Sequence, residues 1–161
     1  MLDDIGVFEE SFFAYLEDAD LAWRARLRGW RTVLAPDAVV HHALSSTAQE
    51  GSRFKRYQLA RNKWRMIFRT YPMPQLLEYW PVIMGYDALS VAHSLMYGDM
   101  APLRGRIDAF RELAGLLEQR RPIQKQRTTD WPEIATVLSP LESPVRLARK
   151  AQLVGDVVAR G

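Results

Sequence analysis

The sequence contains no cysteine, which excludes both a disulfide framework and a thiolate metal site. It also begins without the pattern of a secretion signal: MLDDIGVFEES carries acids where such a signal has a basic end followed by an apolar run. The lack of thiol chemistry suits a reducing compartment. We therefore expect a cytoplasmic protein, with a peripheral position at the inner face of the plasma membrane as an extension of that expectation.

Long uninterrupted hydrophobic runs are also missing. The most apolar stretch, residues 75–97, contains Glu78, Asp87 and His93 and is interrupted by Pro81 and Gly85. It predicts an interfacial or buried helical stretch and does not reach the length of a membrane span. What is present, 48% hydrophobic and 11% aromatic side chains in 161 residues, is enough for a compact core.

Charge is distributed unevenly along the chain. Residues 1–50 hold nine acidic and four basic side chains, although the whole chain has a net charge of +3. No acid occurs between positions 53 and 71, where seven bases are found: Arg53, Lys55, Arg56, Arg61, Lys63, Arg65 and Arg69. The pattern is typical of an acidic head followed by a basic helix.

Hydrophobic periodicity predicts the order of the elements. Apolar residues at helical spacing predict a helix that starts near Leu16 and is ended by Gly29, a second helix over 52–71, and a third from Ile107 to about Arg120. Two valine-rich segments, 31–35 and 38–42, predict short strands. We expect three regions: an acceptor-side part at 1–50, basic and apolar helices at 51–121, and a proline-containing tail with a short helix at 122–161.

Three carboxylates crowd the predicted start of the first helix: Glu17, Asp18 and Asp20. Acids belong in a first helical turn because they oppose the helix dipole, and Asp20 can pair with Arg24 four residues on. The functional alternative is a general base for a hydroxyl proton. Spacing alone leaves both interpretations open.

The segment IGVFEESFFAYLEDADLAWRARLRGWRTVLAPDAVVHH resembles glycosyltransferase family 2, in particular its rhamnosyltransferase-like bacterial branch. The matching positions are Gly6, Phe8, Glu9, Glu10, Phe12, Phe13, Glu17, Asp18, Asp20, Leu21, Arg24, Gly29, Trp30, Ala38, Val40 and His42. An Arg-Asn pair on the basic helix, Arg61 and Asn62, also fits the family. The resemblance implies an α/β fold: the C-terminal part of a GT-A, Rossmann-like domain, followed by a mostly α-helical extension.

The resemblance also implies residue roles. Asp18 would deprotonate the acceptor hydroxyl in an inverting displacement, with Glu17, Asp20 and Arg24 contacting the acceptor. His42, with His41 as the alternative, would complete the shell of a divalent cation, Mn²⁺ or Mg²⁺. That cation site depends on a nucleotide-binding half with an Asp-x-Asp motif, which has no counterpart in these residues.

The basic helix has three interpretations. Its bases can form a solvated charged face above a packed apolar stripe. They can also form a nucleic-acid surface, although the sequence contains no recognised nucleic-acid-binding motif. It can also attach to an anionic membrane. The membrane-interface candidates are Arg53, Lys55, Arg56, Arg61, Lys63, Trp64, Arg65 and Arg69. We keep the membrane surface as an expected partner and expect no nucleic acid.

Two functions follow as hypotheses. The first is an inverting transferase that uses a nucleotide sugar and a glycan or lipid-linked acceptor in cell-wall or polysaccharide synthesis, with a separately encoded N-terminal half as partner. The second is a catalytically inactive fragment that acts as a membrane-binding or partner-binding module.

Overall fold

The computed structural model describes residues 1–39, 51–136, 138 and 146. Its residues divide into two units, 1–130 and 131–161. The first unit contains the helices α1 Leu2–Ile5, α2 Glu17–Leu27, α3 Arg53–Thr70, α4 Met73–Met96, α5 Ala101–Arg111 and α6 Leu113–Lys125, with a 3₁₀ turn at Glu10–Phe12. In the second unit, residues Trp131–Ala135 form the short helix α7.

The predicted α/β architecture is wrong. The described residues are 71% helical and include no strand. Residues 31–35 are irregular, and Val33 and Leu34 are 82% and 87% exposed. A strand is stable only beside further strands or against a helix. The described residues therefore provide no sheet that segment 31–35 could join. The second predicted strand, 38–42, lies mostly outside the described residues.

Helix α3 is the centre of the first unit. Ser52 caps it by accepting a hydrogen bond from the backbone N–H of Lys55 at 3.2 Å. Its inner face supplies Trp64, Ile67 and Phe68 to a hydrophobic cluster, which also contains the buried residues Leu76, Ala109 and Leu116. The prediction of a helix over 52–71 is confirmed.

Helices α3 and α5 cross at very short range because Gly105 in α5 has no side chain. A Cβ at Gly105 would lie 2.4 Å from the carbonyl oxygen of Tyr57 and 3.1 Å from the backbone nitrogen of Arg61, both in α3. Only glycine permits this approach. The crossing brings Phe110 against Trp64, with ring centroids 5.2 Å apart.

Helix α4 continues through Pro81 and Gly85, where an interruption was predicted. Proline removes one intrahelical hydrogen bond, to the carbonyl of Leu77. Both Pro81 and Leu77 are exposed, so water can satisfy that carbonyl. No helix among the described residues is long and apolar enough to cross a membrane.

Candidate functional site

The candidate site begins with a loop of unusual backbone, residues 12–16, directly before α2. Phe13, Tyr15 and Leu16 have positive φ values of 61°, 68° and 66°. At Phe13, ψ is −58°, and the N–H of Ala14 donates to the carbonyl of Phe12 at 2.7 Å, which makes a γ-turn of the strained, positive-φ kind. Such conformations persist only where surrounding contacts hold them.

Asn62 of α3 supplies those contacts. Its side chain is buried, and its Nδ2 donates to the carbonyl oxygens of Phe12, Ala14 and Tyr15 at 3.0, 2.8 and 2.8 Å. Arg65 of the same helix donates to the carbonyl of Ser11. The strained loop is therefore fixed by one face of the core helix, and it sets the direction in which α2 starts.

The three clustered carboxylates have different environments. Asp20 is completely buried, with Oδ2 2.9 Å from Nε of Arg24 and Oδ1 2.9 Å from Nη1 of Arg69. Arg24 also donates to the backbone carbonyls of Ile5 and Val7. Asp20 and Arg24 thus join α2 to α3 and to the N-terminal segment, and acceptor contact by either residue stays a prediction.

Arg69, which the sequence analysis predicted at a membrane interface, belongs to this buried network. It is 4% exposed, and its Nη2 contacts Oε2 of Glu9 at 3.1 Å. Burial lowers the pKa of Arg69, while the charges of Asp20 and Glu9 oppose that shift. Arg69 therefore neutralises two acids of the acidic segment 1–50. The opposite charges of residues 1–50 and 53–71 were the sequence signal for such a pairing.

Asp18 remains accessible. It is exposed in the first turn of α2, and its Oδ1 accepts a hydrogen bond from the N–H of Ala19 at 2.7 Å. Leu16, the N-cap, offers no side-chain hydrogen bond, so this acid also serves the helix start. Both interpretations of Asp18, as a helix-stabilising acid and as a base open to a hydroxyl group, are compatible with this position.

Tyr15 and Glu17 both precede Asp18 in the chain. Glu17 Oε2 and the Tyr15 hydroxyl are shielded from solvent and have no hydrogen-bond partner within the described part of the chain. Lys55 lies over the Tyr15 ring, 5.4 Å from its centroid. Acceptor contact by Glu17 stays a prediction.

His42, the predicted metal ligand, and its alternative His41 lie outside the described residues. Among residues 1–39 and 51–136, no three histidine, aspartate or glutamate side chains are grouped as metal ligands would be. The divalent cation stays a prediction.

Most of the predicted membrane-interface residues of α3 are engaged within the fold. Trp64 is completely buried, and Arg65 is 6% exposed. The ion pairs formed by the bases of this helix are Arg56 with Asp99, Arg61 and Arg65 with Glu112, Lys63 with Asp87, and Arg69 with Asp20 and Glu9. The exposed part of the set is at the helix start, where Arg53 and Arg56 lie at the surface.

The chain is similar in part to a glycosyltransferase. It is 43% identical over 47 residues to the N-acetylglucosaminyl-diphospho-decaprenol L-rhamnosyltransferase of Mycobacterium tuberculosis, in each of two strains. The match covers 29% of this chain and only 15% of the length of these curated relatives. No family model matches the chain. No solved structure matches it either.

Proposed function

We propose that this chain supplies the acceptor side of a sugar transfer to a lipid-linked glycan, with Asp18 as the general base. The observation that carries the proposal is the different placement of the two aspartates of one turn: Asp20 is buried and paired with two arginines, whereas Asp18 is exposed on a helix whose start is fixed by Asn62. The partial similarity to a rhamnosyltransferase supports the reaction class.

In the proposed step, an acceptor hydroxyl oxygen attacks the anomeric carbon of the donor. The new carbon–oxygen bond forms as the bond to the nucleoside diphosphate breaks, the configuration inverts, and the hydroxyl proton passes to the Asp18 carboxylate. The strained loop, residues 12–16, contributes by holding Asp18 in one position before the acceptor arrives. A divalent cation, if bound, would stabilise the charge on the departing diphosphate.

The donor-binding portion would come from outside these 161 residues. We propose that a separately encoded segment provides it, and that the acceptor belongs to the class in the relative's name, an N-acetylglucosaminyl-diphospho-prenol. The donor would be a nucleotide sugar. A cytoplasmic location with peripheral membrane attachment fits such an acceptor, because its lipid tail resides in a bilayer.

Acceptor binding tests the proposal directly. The purified chain is titrated with a short-chain N-acetylglucosaminyl-diphospho-prenol in a calorimeter, beside the variants Asp18→Asn and Asp37→Asn, both of which neutralise an exposed acid. We expect binding that Asp18→Asn weakens about tenfold, through loss of a charge-assisted hydrogen bond, and that Asp37→Asn leaves unchanged. Absence of binding, or equal effects of the two variants, would overturn the proposal.

The alternative function is a catalytically inactive module that binds a membrane or partner protein. It is favoured by the large apolar side chains that the chain leaves exposed, among them Leu77 at 67% and Met96 at 83% exposure. The acceptor titration separates the two functions, since acceptor binding that Asp18→Asn weakens and Asp37→Asn leaves unchanged would contradict the inactive module.

A further inference from the structure

A pocket lies where the start of α3 meets the turn between α4 and α5. Its volume is about 460 Å³, which falls in the range of about 300–1,000 Å³ that is usual for small-molecule sites. The residues that give the pocket its chemistry are Arg53, Phe54 and Tyr57 of α3, Asp99 and Met100 of the turn, and Arg104 of α5. The pocket thus combines two guanidinium groups with aromatic and apolar walls.

Arg53 and Arg104 are exposed, and neither has an ion-pair partner within the described part of the chain. The other arginines of α3 each contact an acid: Arg56, Arg61, Arg65 and Arg69. A single exposed arginine is ordinary on a protein surface. Two arginines at one concave pocket attract an anion more strongly, because the walls exclude water and focus their field.

Asp99, the acid in the pocket wall, is already engaged. Its Oδ2 lies 2.6 Å from Nε of Arg56, and its Oδ1 accepts a hydrogen bond from the backbone N–H of Ala101 at 3.1 Å. Arg56 therefore offsets the charge of Asp99, and that of Arg53 and Arg104 remains.

The next acid on α5, Asp108, is also engaged by other groups. It lies four positions after Arg104, and it accepts hydrogen bonds from the hydroxyl of Tyr57 at 2.8 Å and from Arg111 at 3.0 Å. The Tyr57 ring is held against the pocket by this bond, and Asp108 makes no ion pair with Arg104.

We propose that this pocket binds a diphosphate group. A guanidinium group donates two parallel hydrogen bonds to phosphate oxygens, and two such groups match the two phosphates of a diphosphate. Both substrates of the proposed sugar transfer contain this group, the nucleotide sugar and the diphospho-prenol acceptor. The choice between these two sources rests on the proposed function.

The surroundings of the arginines favour the acceptor as the source. Phe54 and Met100 are 40% and 46% exposed, and they offer apolar surface to the prenyl chain that is attached to the diphosphate of the acceptor. The Phe54 ring also meets the Phe13 ring edge-on, with centroids 6.1 Å apart. Phe13 belongs to the strained loop that precedes Asp18, so the pocket adjoins the segment that carries the candidate base.

The test is calorimetric titration of the full chain with three probes that lack N-acetylglucosamine: inorganic pyrophosphate, a short-chain prenyl diphosphate and a nucleoside diphosphate. The disruptive variant is Arg53→Gln with Arg104→Gln. Its matched control, Arg121→Gln with Arg127→Gln, removes the same charge at two exposed arginines that do not line the pocket. Circular dichroism checks that both variants keep the helical content of the parent.

We expect the parent to bind the prenyl diphosphate, the pocket variant to bind it at least about tenfold more weakly, and the control to bind as the parent does. No binding of any probe, or an equal loss in the two variants, would overturn the proposal. Tighter binding of the prenyl diphosphate than of the nucleoside diphosphate supports the acceptor as the source. The reverse order, with the same dependence on Arg53 and Arg104, supports the pocket and gives it to the donor.

The variant Asp18→Asn separates this inference from the proposed general base. Because the three probes carry no sugar to be attacked, their binding should be unchanged in Asp18→Asn. Loss of diphosphate binding in the pocket variant would then stand even if Asp18 had no role, and a failure of the pocket would leave the acceptor titration of Asp18→Asn to be judged by itself.

Discussion

The buried amide of Asn62 donates a 2.8 Å hydrogen bond to the carbonyl oxygen of Tyr15, a residue whose own φ is +68°. The contact joins the middle of the core helix to the turn that precedes the candidate base. A strained backbone of this kind costs of order 1–3 kcal/mol per residue, so the amide has to offset that cost. The position of Asp18 consequently depends on a side chain 44 positions further along the chain.

Replacing the amide by a carboxylate, Asn62→Asp, should destabilise the protein by roughly 2–4 kcal/mol, because a donor becomes an acceptor facing three carbonyl oxygens. Urea unfolding measures the change. The matched control is Gln124→Glu, which removes one comparable bond to the carbonyl of Thr70 in a half-buried position and should cost clearly less. Equal losses would contradict the role of Asn62.

The two aspartates of α2 should separate stability from function. Asp20→Asn leaves buried Arg24 without its acid and Arg69 with Glu9 alone, and it should cost about 3–5 kcal/mol in unfolding free energy. Asp18→Asn should change stability by no more than about 0.5 kcal/mol, because the residue is exposed. Thermal denaturation of both variants measures the difference, and similar melting temperatures would show that the Asp20 network carries little stability.

Gly105→Ala should destabilise the α3–α5 crossing by about 2 kcal/mol or more, because the new Cβ would lie 2.4 Å from a backbone carbonyl that cannot move away freely. Gly115→Ala is the matched control. It lies inside α6 with nothing within 4 Å of its Cβ position, so alanine should stabilise the helix by about 0.5–1 kcal/mol. Denaturant unfolding should show opposite signs for the two substitutions, and a loss at both would contradict the packing argument.

Lowering the pH should lower the free energy of unfolding, in part because Asp87 becomes protonated. Burial pushes the pKa of Asp87 upward, but hydrogen bonds from Arg106 and Lys63 outweigh it and hold the pKa below the ordinary value of 3.8. Because the folded-state pKa is lowered, this carboxylate stabilises the fold above the ordinary pKa, and that stabilisation is lost as pH falls through the folded-state value.

The free energy of unfolding, measured in urea from neutral pH to about pH 3, should therefore fall less steeply in Asp87→Asn than in the parent, and should start lower at neutral pH. Asp130→Asn, at an exposed position, should keep the parent slope. Parallel curves for the parent and Asp87→Asn would show that Asp87 does not contribute to the acid dependence.

Local patterns in the sequence determined the helices α2 and α3 and the stop at Gly29, where φ is 80°. Periodicity and capping act within a few residues, so they can be read without a fold. The same patterns failed for residues 31–35, because a strand depends on partners that composition does not reveal. Apolar spacing likewise does not reveal that two charged residues, Asp20 and Arg24, are buried in α2 beside Leu27.

The sequence by itself determined a cysteine-free chain, an acidic head, a basic helix and a resemblance carried by FFAYLEDADL. Only the tertiary structure decided which charges remain available. It paired most bases of α3 with acids from other segments, buried Asp20 and left Asp18 exposed. The physical reason is that the free energy of a charge depends on the neighbours that folding brings to it, and here those neighbours are as much as 60 residues away along the chain.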